Sequence, residues 1–191
     1  MKVDKSIVAS FILLVVISSL YRIIPNRPFG FAPQIAIALF SGSIVKDKKL
    51  AFLMPLFSML VSDIIYELLY SYNISSIKGF YDGQWINYLL FCAVTVIGFY
   101  IQQNKITHIF FGGIAGVLFY FFTSNFAVWV GGGLGINNLP YAKSLSGLVE
   151  CLAAGLPFLK GSLMATLLFS GILFGGYKLF ANNFNKQLAV A

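Results

Sequence analysis

A chain of 191 residues that is 59% hydrophobic and only 10% charged, with a mean hydropathy of +0.85, suits a bilayer better than a soluble core. Its length fits one domain and no Pro/Ser-rich linker or shift of composition marks a second, so residues 1–191 are read as a single membrane domain. The formal charge of +7 comes from thirteen basic residues dispersed between apolar segments, a pattern that sets orientation in a membrane and leaves no nucleic-acid footprint.

Hydropathy divides the chain into six candidate spans of roughly bilayer length. The first, Ile7 to Ile24, follows Lys2 and Lys5 much as a signal peptide would. Its apolar run continues into Ile23 and Ile24 without a small-x-small cleavage site, so it is read as a retained span. The second, Phe31 to Val45, is short at about 15 residues and contains Pro33, Gln34 and Gly42, which predicts a tilted, broken or protein-shielded element. The third runs from Leu50 to Tyr70 with Pro55 in its inner half, where a kink is expected. The fourth and fifth run from Trp85 to Ile101 and from Ile106 to Val130. Gly131 to Gly135 and Asn137 to Pro140 read as loop, and Ser144 to Leu159 as a short interfacial or re-entrant helix bounded by Pro157 and Gly161. Gly161 to Phe180 completes the six. Gly112 with Gly116, Gly171 with Gly175, and Ala32 with Ala36 are small-xxx-small pairs that permit close helix approach.

The third span carries the most informative feature. Asp63 and Glu67 stand four residues apart, on one helical face, with Ser58, Ser62, Tyr66 and Tyr70 along the same side. An intramembrane charge costs at least about 2.5 kcal/mol, so such a stripe faces a bundle interior or a wet cavity.

With the N-terminus in the cytoplasm, Lys2, Lys5, Lys46, Lys48, Lys49, Lys105, Lys178 and Lys186 lie inside, and Arg22, Arg27, Lys78, Lys143 and Lys160 outside. The cluster Lys46 to Lys49 falls in a very short loop, where the positive-inside rule is most dependable, so the expected location is the cytoplasmic (inner) membrane with both termini cytoplasmic. On this topology the polar residues gather at the outer side. Arg22, Asn26, Asp63, Glu67, Asn125 and Trp129 become the candidate solute-binding set, with Gln34, Trp85, Asn87, Tyr88, Tyr141, Glu150 and Cys151 at similar depth.

Each has a structural alternative. Arg22 and Asp63 could form an ion pair tying two helices together or contact a ligand, and both readings are open. Glu67 could reach interfacial water, Trp85, Trp129, Tyr66, Tyr70 and Tyr88 could belong to aromatic belts, and Asn125 could bond between helices. Catalysis is not expected: His108 is the sole histidine, far from the carboxylates, and no Ser/His/Asp set, HExxH motif, metal site or cofactor site is present in the sequence. Cys92 and Cys151 signal neither a disulfide framework nor a CxxC site.

The residues Arg22 to Pro28 (RIIPNRP), Phe40 to Gly42, Pro55, Ser62 with Asp63, Asn125 with Phe126 and Trp129, Gly147 with Leu148 and Cys151, and Pro157 with Phe158 form a set. Over most of its length the chain resembles an uncharacterised group of small six-helix bacterial membrane proteins related to the substrate-binding S components of energy-coupling factor transporters. That resemblance implies an S-component-like bundle that captures a vitamin or related small molecule from outside and docks on an energising module through small residues of its first helix. Here that helix has Ala9, Ser10, Ser18 and Ser19 but no AxxxA pattern, since Leu13 stands four residues after Ala9.

The expectation is thus an all-α integral membrane protein of six transmembrane helices with an outward polar cavity, binding or transporting a small solute. The alternative is a structural or assembly subunit whose polar stripe and glycine pairs bind another membrane protein. The lipid bilayer, a small-molecule solute, and a membrane partner or energising module are the expected partners.

Overall fold

The computed structural model of the protein describes Leu20, Tyr21, Ile24 and residues 28–190, with side chains described up to Leu179. Among these residues the chain forms five helices: α1 (Gln34–Ile44), α2 (Lys48–Ser71), α3 (Gln84–Gly98), α4 (Ile106–Val130) and α5 (Leu145–Val190). The first expected span, Ile7 to Ile24, falls almost wholly outside the described residues, and Arg22, Asn26 and Arg27 lie outside them too.

The expectation of six transmembrane helices is overturned. Three helices are long and apolar enough to cross a membrane: α2, α4 and the stretch Leu145–Leu179 of α5. With 11 residues, α1 is about 16 Å long against a hydrocarbon core of about 30 Å, and α3 with 15 residues reaches about 22 Å. The anticipated short helix from Ser144 to Leu159 and the last span from Gly161 to Phe180 are one continuous helix that passes through Pro157. Neither presumed boundary residue stops it. Proline is tolerated in apolar helices packed by neighbours, and Gly161 serves a close contact. A Cβ there would lie 1.8 Å from the Phe29 carbonyl oxygen.

Why α1 is central follows from its sequence. Apart from Gln34, Ser41 and Ser43 it is apolar or glycine all round, as a core helix or a membrane span is, and every residue from Gln34 to Gly42 is buried. It packs against α2, α3, α4 and α5. Phe40 meets Phe174 edge to face at 5.2 Å, and Ser162 Oγ donates to the Gly30 carbonyl at 3.1 Å, so α1 and α5 run in parallel. The tightest crossing is between α1 and α3, where a Cβ on Gly42 would lie 2.3 Å from the Thr95 carbonyl and one on Gly98 would lie 2.5 Å from that of Leu39. Of the expected small-residue pairs, Gly116 meets the Leu39 side chain, whereas Gly171 and Gly175 face open space.

Asp47 starts α2 by accepting from the amides of Lys49 (2.9 Å) and Leu50 (3.4 Å), satisfying donors the helix leaves free. Ser58, Ser62, Asp63 and Tyr66 are turned inward, while Leu53, Phe57, Leu60, Ile64 and Leu68 are exposed, an outer face suited to lipid. Ser43 Oγ donates to the Ile101 carbonyl at 2.9 Å, which puts the α1–α2 and α3–α4 turns at one end of the bundle. The loops 72–83 and 131–144 lie at the other. The second, expected as loop, is closed by a single bridge between Leu134 and Pro140, with Asn138 in the left-handed conformation.

Candidate functional site

The inward stripe of α2 meets polar groups supplied by the 72–83 loop and the start of α3. Asp63 is 1% exposed. One of its carboxylate oxygens accepts from Gln84 Nε2 and from the Tyr88 hydroxyl at 2.7 Å, and neither it nor Ser58, Ser62 and Tyr66 is without a partner. Gln84 is fully committed: Nε2 also donates to the Gly79 carbonyl at 2.9 Å, and Oε1 accepts from the Tyr81 amide at 3.3 Å. Gly83, in the left-handed conformation at φ 80°, turns the chain into α3 and points Gln84 inward.

Glu67, one turn further along α2, accepts from the amides of Gly79 and Phe80, both at 3.1 Å. A Cβ on Gly79 would fall 1.9 Å from the Asp63 carbonyl, so only glycine brings the loop close enough for these bonds. The network continues outward. Asn87 Nδ2 donates to the Tyr81 hydroxyl at 2.7 Å, and the Tyr120 hydroxyl donates to Asn87 Oδ1 at 2.9 Å, linking α3 to α4.

Asn125 and Trp129 belong to a second group, between α4 and α5. Asn125 Nδ2 donates to the Phe121 carbonyl at 2.8 Å, and the Cys151 thiol lies 3.4 Å from the Asn125 carbonyl. Trp129 Nε1 donates to the Ala142 carbonyl at 2.8 Å, and the Lys143 ammonium caps the end of α4 through the Trp129 and Val130 carbonyls. These contacts anchor the 131–144 loop, where burial, with the Cys151 and Glu150 charges, raises the Tyr141 phenol above its ordinary range. The structure therefore brings Asp63 together with Glu67, and Asn125 with Trp129, but as two clusters. Arg22 and Asn26 lie outside the described residues.

Beside the first cluster an open cleft of about 510 Å³ is lined by Leu60, the stretch from Phe80 to Trp85, and Tyr88. Gln84 and Tyr88 have a double position, lining the cleft while holding Asp63 behind it. The sequence reading placed Tyr88 at this depth but missed Gln84. A glutamine directly after a glycine at a helix start was the available signal. Both polar atoms of the Gln34 amide, Thr166 Oγ1 and Ser170 Oγ are buried without hydrogen-bond partners among the described residues. Gln34, between the contact points of α1 on α5, is level with the turn carrying Thr166. Among the described residues no group of three His, Cys, Asp or Glu is disposed to hold a metal ion.

The described residues thus define an all-helical bundle with three helices of membrane-spanning length and polar clusters at one end. Residues 2–188 match the model of a family of unknown function (DUF6580), and the chain belongs to that family. No curated protein and no solved structure matches it, and no link to the S components emerges from these comparisons.

Proposed function

We propose that this is an integral protein of the cytoplasmic membrane that binds a small solute at the cleft between α2, the 72–83 loop and α3. The observation that carries the proposal is the cleft itself, about 510 Å³ in volume, with walls fixed from behind by the Asp63, Gln84 and Tyr88 contacts. Gln84 and Tyr88, held in place before a ligand arrives, give up little conformational entropy on binding. In this reading Asp63 and Glu67 are positioning residues, and the loop end of the bundle faces outward because the Lys46 to Lys49 turn is cytoplasmic. Solute capture from outside, delivered to a membrane partner or energising module, is the role that the S-component resemblance implies.

A second reading, a structural subunit of a larger membrane assembly, draws on a different observation. Both Glu67–loop bonds and the Asn125 and Trp129 bonds end on the chain's own backbone, as they would in a scaffold. Thermal unfolding of the detergent-solubilised protein across a panel of cationic, neutral and anionic solutes separates the two. A bound solute raises stability by RT ln(1 + [L]/Kd), about 2.7 kcal/mol at a hundredfold excess over Kd. The shift should be lost in Trp85→Leu, whose side chain lines the cleft and is otherwise 64% exposed. A panel with no effect, together with stable co-purification in a larger complex, would put the scaffold reading first.

A further inference from the structure

The groups that the cleft can offer a ligand are few and of one kind. Half of its eight lining residues are aromatic, Phe80, Tyr81, Trp85 and Tyr88, and its one charged residue is the acid Asp82. Among the described residues no lysine, arginine or histidine lines it. Several of the polar tips that could bind a neutral, sugar-like or amide ligand are already engaged. The Tyr88 hydroxyl donates to Asp63, the Tyr81 hydroxyl accepts from Asn87, and the Gln84 amide serves Asp63, Gly79 and Tyr81. The nearest base in sequence, Lys78, holds its ammonium 5.4 Å from the Tyr70 ring. What remains is aromatic surface, a carboxylate, and two donors on the rings themselves, the Trp85 indole N–H and the Tyr81 hydroxyl.

We propose that the cleft selects an organic cation, a substituted ammonium; this rests on the solute-binding reading above and narrows it. An anion would meet Asp82 with no compensating base among the described lining residues. A neutral polar molecule would exchange water for rings that return few hydrogen bonds. A quaternary or alkylated ammonium gains from ring faces, and the carboxylate supplies the opposite charge. The same pairing recurs elsewhere in the chain, with the Lys48 ammonium 3.6 Å from the Phe99 ring centre and that of Lys143 5.5 Å from Trp129.

The test is calorimetry on the full-length protein at low ionic strength with tetramethylammonium, choline and 3,3-dimethylbutan-1-ol, the neutral isostere of choline. Choline should bind at least about tenfold more tightly than the isostere. Asp82→Asn and Trp85→Leu should each weaken choline by about tenfold, while the unliganded variants unfold at the wild-type temperature because both side chains are exposed. Equal affinity for choline and the isostere, or choline binding unaffected by Asp82→Asn, would overturn the cation assignment. So would failure of both cations to bind where a neutral or anionic member of the wider panel does, and in these three cases the cleft survives as a solute site. If nothing in the panel binds, the solute reading falls with it.

Discussion

Asp63 and Glu67 meet the cost of a carboxylate among apolar helices in different ways. Asp63 receives side-chain donors from α3, and Glu67 receives two loop amides. Gln84→Leu strips a donor from a buried carboxylate and leaves the Gly79 carbonyl and Tyr81 amide short of a partner, so a loss of about 1–3 kcal/mol is expected in thermal unfolding. An unchanged unfolding temperature would mean that the Asp63 contact is incidental. The opposite holds for Gln34, whose buried amide bonds to no described residue. Gln34→Leu should be neutral or stabilising by the same assay, and a loss above about 1 kcal/mol would show that the amide is bonded in the membrane. The four-residue spacing of the α2 stripe made its inward face legible in the sequence. Its partners were not, because Gln84 and Tyr88 reach Asp63 through the turn at Gly83 and the close packing of Gly79, which no periodicity encodes.

At the scale of elements, apolar content was legible and length was misleading. Phe31 to Val45 reads as a span by hydropathy, but its helix begins only after Pro33, and its apolar surface is covered by other helices. Pro157 and Gly161 read as a boundary because both disfavour a soluble helix, whereas α5 runs through an exposed Pro157 and packs Gly161 against Phe29. The small-residue pattern could not tell which glycines touch another helix. Gly42→Ala forces a methyl group into the Thr95 carbonyl and should destabilise by about 1–3 kcal/mol, as overpacked cores do. Gly171→Ala meets nothing within 4 Å and should leave stability unchanged or raise it by up to about 1 kcal/mol through helix propensity. Equal effects in the two variants would contradict the α1–α3 crossing.

Among the described residues, three helices of spanning length pack around the short α1, with α3 beside it against α2 and α4 and apolar side chains exposed along the outer faces. The end carrying Lys46 to Lys49 should be cytoplasmic. Cysteines placed at positions 47 and 137 in a background lacking Cys92 and Cys151 should react with an impermeant reagent from opposite sides, 137 from outside; labelling of 47 from outside would invert the topology. The central claim is that a small solute occupies the cleft beside Asp63, and native mass spectrometry of the gently solubilised protein tests it most directly. Wild-type protein should carry a small-molecule adduct that Trp85→Leu loses. An adduct retained equally by that variant, or wild-type protein that stays unliganded across the solute panel, would contradict it.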